Sequence, residues 1–348
     1  MSTLKNYSSR NIYIDSLKGI LILLVVLGHF VEQVLGGSAL SKSIFLFIYA
    51  FHMPLFIFLN GILFRHMAFD NKKITWRVVY FFSLYIALKG VLYFVKLFIG
   101  ENPTFHLLSE SGVPWYLFTL TLYYLIGYYF RNVDKTYLLV SSILLALLCG
   151  YDPDINDFLV LSRTIVFFPF FLAGWMSDIN TISSFTRKPW IRFISLLLLL
   201  SIFCIVTYRI ESAYILRPLF TGRNSYKIKA LGEYAKYGLF LRILTYTISI
   251  VLSFTLLSLT PRTAFRGIFS RLGRHSLSIY FLHRPVLYLL TGYGVFDTIE
   301  DILGHRYGRI VWIFLSFCLT YLLSLDIFNK PFEALSQHLS HKGSSTQY

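Results

Sequence analysis

Ten apolar runs follow one another along the chain, each close to the length a helix needs to cross a bilayer. They place helices at roughly 17–36, 44–64, 76–99, 115–130, 136–150, 161–177, 192–208, 238–259, 276–292 and 309–328, the fourth and fifth being short. Of the 348 residues, 56% are hydrophobic and 14% charged, where a soluble domain carries about 25% charged residues. A soluble fold could not hide that much apolar surface. The sequence therefore predicts an all-α polytopic membrane protein of about ten transmembrane helices. It reads as one domain over residues 1–348, with helices between about 17 and 328 and a polar tail, Gln337 to Tyr348, expected to be mobile. Its 25 Tyr suit the interfacial belts and its 34 Phe the lipid-facing surface.

The net charge of +15 would suggest nucleic acid in a soluble protein. Here basic residues mark cytoplasmic loops and touch anionic lipid headgroups, so membrane lipids are the expected partners and nucleic acid is not. With the N-terminus inside, the inner segments hold most of the 32 Lys and Arg, among them Lys5, Arg10, Lys18, Arg65, Lys72, Lys73, Arg77 and Arg262 to Arg274. Acids such as Glu101, Glu110, Asp152, Asp154 and Asp157 fall outside. Both termini are therefore expected in the cytoplasm. One long outer loop breaks the pattern, with Arg209, Arg217, Arg223, Lys227, Lys229 and Lys236 interleaved with Tyr208, Tyr214, Tyr226 and Tyr234. It reads either as a headgroup-touching loop or as a cover that grips an acidic glycan or a lipid pyrophosphate. Cys149, Cys204 and Cys318 lie in apolar runs and read as packing residues. The apolar stretch after Lys18 has no clean cleavage site and reads as a retained first helix.

Ionisable groups inside a span are costly and point to function. The first helix holds Asp15, Lys18, His29 and Glu32. Eleven residues separate Lys18 from His29, which returns almost to the same helix face with a rise of roughly 16 Å. Asp15 and Glu32 each sit three residues from their basic neighbour, so one stripe runs from the cytoplasmic surface to mid-membrane. His52 on the second helix and His283 on the ninth fall at comparable depth, and Lys89 lies in the middle of the third. Together they predict a shared polar cavity. A lone histidine there would be a hydrogen-bonded core residue; three at one level are harder to explain so.

Neutral His is the usual side chain for taking a proton from a hydroxyl near pH 7, and Glu32 is the local carboxylate that would orient His29. The spacing of the three histidines is not a metal signature, so no metal is expected. The inner basic residues Arg65, Lys72, Lys73 and Arg77, or Arg262 to Arg274, could hold a phosphate-bearing donor. Topology explains the same residues equally well.

Four segments carry a family resemblance. Asn11 to Ile20 with Val25 to His29 has the spacing Asp, two residues, Lys or Arg, Gly, then His eleven after the basic residue. Phe51-His52-Met53-Pro54-Leu55-Phe56 runs on to Asn60-Gly61, where Ser-Gly is usual. Pro114-Trp115-Tyr116-Leu117 and Ser276 to Pro285, with Tyr280 and His283, complete the set. In this the chain resembles the acyltransferase-3 membrane family, and within it the fucose 4-O-acetylase-like group, over about residues 11–325. The resemblance implies transfer of an acyl group, usually acetyl from acetyl-CoA, to a hydroxyl of a surface glycan or its lipid-linked precursor, at a bacterial cytoplasmic membrane. It puts the essential catalytic histidine at His29 and the basic residue at Lys18, with Arg65 a looser match. No further domain is expected beyond Tyr348, so the transfer would be completed in the membrane part or by a separate protein.

The sequence thus assigns catalysis to His29 and Glu32, and donor binding to Lys18, Arg65 and Asp15. It lines the substrate cavity with His52, Asn60, Lys89, Trp115, Tyr280 and His283. Whether His29 acts as a base or carries the acyl group transiently stays open. The competing class is a transporter or flippase of lipid-linked sugars that uses the histidines as a proton relay; the matching halves common in such folds are not visible. A non-catalytic scaffold would not need the three histidines.

Overall fold

Asn11 opens the first helix. Its side chain accepts hydrogen bonds from the amides of Tyr13 and Ile14 at 3.0 and 3.4 Å, filling donors that every helix start leaves open. A computed structural model describes residues 11–36, 38–65, 67, 69–261 and 266–342. Lys5, Arg10, Arg262 and residues 343–348 lie outside the described residues. The helices are α1 (Ile12–Gln33), α2 (Ala39–Tyr49), α3 (His52–Arg65), α4 (Asn71–Phe98), α5 (Trp115–Tyr129), α6 (Lys135–Leu148), α7 (Leu161–Met176), α8 (Ile179–Thr186), α9 (Pro189–Tyr208), α10 (Ile210–Ala213), α11 (Arg217–Phe220), α12 (Gly238–Leu259), α13 (Arg266–Arg274), α14 (Ser276–Gly292), α15 (Val295–Leu323) and α16 (Asp326–Lys342). Among the described residues there is no strand, only one isolated bridge between Ser109 and Phe158. Helices suit the setting, since each satisfies its own backbone polar groups away from water.

Every expected span falls on a helix, but not every helix is long enough to cross alone. Among the described residues, six helical segments have the length and apolarity for a crossing, or seven if the bent pair α7–α8 is one. The chain is a multi-pass membrane protein. Helices α5, α6 and α14 have 15, 14 and 17 residues, short of the ~20 that a bilayer core requires. Helix α16 runs on to Lys342 and takes in residues 337–342 of the polar tail.

The second crossing is interrupted at Ala50–Phe51. Pro54 has no amide hydrogen, so it cannot bond the Ala50 carbonyl as a helix would require. Ser249 of α12 donates its hydroxyl to that carbonyl instead, at 2.5 Å. The break sets His52 at the start of α3, inside the protein.

Helix α1 is central, packed against α2, α3, α13, α14 and α15. Its seam with α13 depends on two glycines. A Cβ on Gly19 would sit 1.9 Å from the Phe269 carbonyl oxygen, and one on Gly273 1.7 Å from that of Asp15. Backbone meets backbone there, as small residues allow in membrane helix pairs. Helix α9, by contrast, is an outer helix: Phe193, Ile194, Leu196, Leu197 and Leu200 are exposed. Apolar side chains on α9 thus face outward, as expected in lipid, while the core between the helices is itself largely apolar.

Candidate active site

His29 sits one turn before the end of α1, and all three of its polar contacts are made by Nδ1. Glu32 Oε2 lies 3.3 Å away, the Tyr49 hydroxyl 3.3 Å and Arg284 Nη1 3.2 Å. One ring nitrogen has a single hydrogen-bonding position, so these neighbours compete for it. Arg284 also lies 3.6 Å from Glu32 Oε2, and Arg217 Nη2 3.7 Å from Glu32 Oε1. When Nδ1–H donates to Glu32, the two guanidiniums face that same single carboxylate, which leaves one positive charge in excess. Nε2 of His29 then keeps its lone pair.

The three histidines do come together. The rings of His29 and His283 stack, centroids 5.3 Å apart. His52 meets them through Tyr49, whose ring centroid is 5.0 Å from that of His52 and 6.3 Å from that of His29. His52 Nδ1 donates to the Ile48 carbonyl at 2.7 Å, and His283 Nδ1 to the Ile279 carbonyl at 3.0 Å. These bonds fix both rings with the proton on Nδ1.

Two cavities meet on this helix. The first, of about 390 Å³, is lined by His29, Glu32, Tyr49, His52, Trp115 and Arg284, and is bordered by the 209–236 segment through Arg217, Phe220, Arg223 and Ile228. That segment, open to two readings from sequence, is therefore part of a cavity wall. It is held down by Tyr226, which is buried and donates to the Leu147 carbonyl at 2.8 Å, and by Arg242, which donates to the Leu219 carbonyl at 2.6 Å. The second cavity, of about 420 Å³, holds Lys18, Asn60, Arg77, Tyr80 and Tyr124. Val25, Met53 and Tyr280 line both. Tyr280 is anchored by its hydroxyl, which donates to the Val113 carbonyl.

The remaining expected site residues are placed as follows. Asn60 is in the Lys18 cavity, its amide donating to the Phe56 carbonyl and the Tyr116 hydroxyl at 2.9 and 2.7 Å. Trp115 lines the His29 cavity, stacked on Phe167 at 5.6 Å. Arg65 lines neither cavity; Nη1 donates to the Ser177 carbonyl at 2.9 Å, holding the 88° corner between α7 and α8. Asp15 is buried in the α1–α13 seam, its backbone against Gly273. Lys89 is on a neighbouring cavity, ion-paired to Glu110 at 2.6 Å and donating to the Ser109 carbonyl at 2.8 Å. Sequence reasoning gives no role to Tyr49, Arg163 or Arg284, although both arginines stand inside apolar runs, which is itself a signal. Among the described residues no group of three or more His, Cys, Asp or Glu could hold a metal ion.

A carboxylate-paired histidine on a cavity wall, buried in a helical bundle with an apolar exterior, defines a multi-pass membrane protein equipped for proton or group transfer. Comparison with known families matches residues 11–328 to the acyltransferase-3 family, described as an acyltransferase domain. The chain belongs to that family and is an acyltransferase. No curated protein and no solved structure matches it.

Proposed function

We propose that this enzyme moves an acetyl group from cytoplasmic acetyl-CoA to a hydroxyl of a cell-surface polysaccharide or its lipid-linked precursor, in a bacterial inner membrane. The observation that carries the reading is the pair of cavities sharing Val25, Met53 and Tyr280, with Lys18 and Arg77 on one and His29 on the other. The donor enters from the Lys18 side, where the two cations suit its phosphates. The acceptor enters the His29 cavity, whose wall includes Trp115. About ten crossings with both termini cytoplasmic would put the Lys18 cavity on the inner side; the short helices α5, α6 and α14 then cross where the bilayer is locally thinned. The resemblance to fucose 4-O-acetylase-like proteins supports a sugar hydroxyl as acceptor.

His29 Nε2 takes the proton of the hydroxyl as its oxygen attacks the thioester carbonyl. The C–S bond breaks, and Nε2–H returns the proton to the departing CoA thiolate. Glu32 holds the imidazole by Nδ1–H and stabilises the imidazolium formed in between. His52 lines the cavity wall, and His283, which lines neither cavity, backs the His29 ring.

The test uses purified protein in proteoliposomes with acetyl-labelled acetyl-CoA outside and polysaccharide repeat units inside, and reads label on sugar. His29→Ala should abolish transfer while the protein inserts and accumulates normally. Wild-type levels of labelled sugar in that variant would refute the assignment. Movement of unlabelled sugar with the label left on acetyl-CoA would mark a transporter instead.

A further inference from the structure

The His29 cavity is strongly unbalanced in charge. Arg163, Arg217, Arg223 and Arg284 line it, and among its lining residues Glu32 is the one carboxylate. Arg217 and Arg284 share Glu32. Arg223 is matched by Asp157, to which Nε donates at 2.9 and 2.8 Å and Nη2 at 2.5 Å. Among the described residues Arg163 has no carboxylate in contact; the two that act on it from a distance, Asp157 and Glu110, are paired to Arg223 and Lys89. It is 7% exposed, forms no ion pair among the described residues, and gives Nη2 to the Ser111 carbonyl at 3.0 Å. Its buried Nη1 has no hydrogen-bond partner among them. A buried guanidinium without an anion is costly, more so within a membrane-spanning helix. Such a group is a place for an anion to bind.

The neighbour of Arg163 narrows what arrives. Its guanidinium carbon lies 5.0 Å from the centre of the Trp115 ring, so an aromatic face and a planar donor fork adjoin on one wall. Trp115 holds the fork in place against its ring, and the fork takes two oxygens of a carboxylate or phosphate. Resting on the acyl-transfer reading above, we infer that the acceptor carries an anionic oxygen group near the hydroxyl that is acylated, held by Arg163 with Arg217 beside Trp115. A neutral sugar would leave Arg163 unpaired, so the cavity selects against it.

The experiment presents wild-type protein in detergent micelles with methyl β-D-glucuronide, α-D-glucose 1-phosphate and methyl β-D-glucoside, and measures binding by thermal stabilisation. At least one anionic probe should bind about tenfold or more tighter than the glucoside, the scale of one charge-assisted contact. Preference for the uronide identifies an acidic sugar; preference for the phosphate identifies a sugar phosphate or lipid-linked unit. Arg163→Gln should bring the ratio near unity, and Arg163→Lys should restore part of it. Equal binding of the three probes by wild-type protein, or binding of none, overturns the inference, and needs no variant to fold. A charge preference that follows only the donor, succinyl-CoA over acetyl-CoA, overturns it as well. Selective anion binding with no label transferred to any sugar leaves the anion site standing and removes the acyl-transfer reading.

Discussion

His29 and His283 stack with their centroids 5.3 Å apart and their planes 27° from parallel. They come from the first and the fourteenth helices, far apart in the chain. The stack means that the orientation of the His29 ring is set from two sides: by Glu32 and its neighbours at Nδ1, and by a second imidazole against its face. His283 is itself locked to the Ile279 carbonyl, so it serves as a fixed plate. His283→Ala would remove the plate and let the His29 ring tilt; a misplacement of about 1 Å costs on the order of 10²-fold in rate. His283→Phe keeps the flat face and should lose much less. Comparing the kcat of the two variants with that of wild type, at equal amounts of folded protein, checks this. Equal loss in both would mean that His283 works through its Nε2.

Glu32 bears on the same ring from the other side. Glu32→Gln keeps the shape of the side chain but offers an amide where Nδ1–H and two guanidiniums expect a negative charge. The imidazolium formed during transfer then lacks its counter-charge, and kcat should fall by about 10²-fold or more, as for removal of general acid–base support. KM for acetyl-CoA should stay within about twofold, because Glu32 lines the His29 cavity and not the Lys18 cavity. Steady-state kinetics with both substrates varied gives the answer; a changed donor KM with unchanged kcat would contradict it.

The helices are legible in the sequence because an apolar run is a local signal, and so is the Lys18–His29 stripe, because helix periodicity fixes both height and face on a single element. The face that one helix turns to another is not legible. Arg65 stands at the right end of α3 but turns toward Ser177. Lys89 stands within α4 as expected but turns toward Glu110. Neither turn is encoded within its own helix; each depends on which neighbour packs beside it. Arg284 follows His283 directly in the sequence, yet its approach to His29 needs α1 and α14 to be in contact. The break before His52 is half legible: Pro54 announces it, but the Ser249 hydroxyl that bonds the freed carbonyl comes from α12.

Val25, Met53 and Tyr280 stand where the two cavities meet, so their bulk should govern passage of the acyl group. Met53 is an unbranched, adaptable side chain. Met53→Trp should fill the junction and cut transfer at least about tenfold, while acceptor binding by thermal stabilisation is retained. Met53→Ala should leave transfer near wild type. Unimpaired transfer in the tryptophan variant would mean that donor and acceptor do not meet through this junction.

The two arginines at the Lys18 end should separate cleanly. Arg77 lines the Lys18 cavity, its guanidinium carbon 4.4 Å from the Trp76 ring centre, and its buried Nε has no hydrogen-bond partner among the described residues. A phosphate-bearing donor would supply one. Arg77→Ala should therefore raise the KM for acetyl-CoA by roughly tenfold or more, the scale of a lost charge-assisted hydrogen bond. Arg65 holds the α7–α8 corner instead. Arg65→Ala should lower the melting temperature modestly, since an exposed contact of this kind is worth at most about 1 kcal/mol, and leave the donor KM alone. Measuring donor KM and thermal unfolding on both variants decides the assignment. A raised donor KM in Arg65→Ala with none in Arg77→Ala would return the donor site to Arg65, and would require the α7–α8 corner to open when the donor binds.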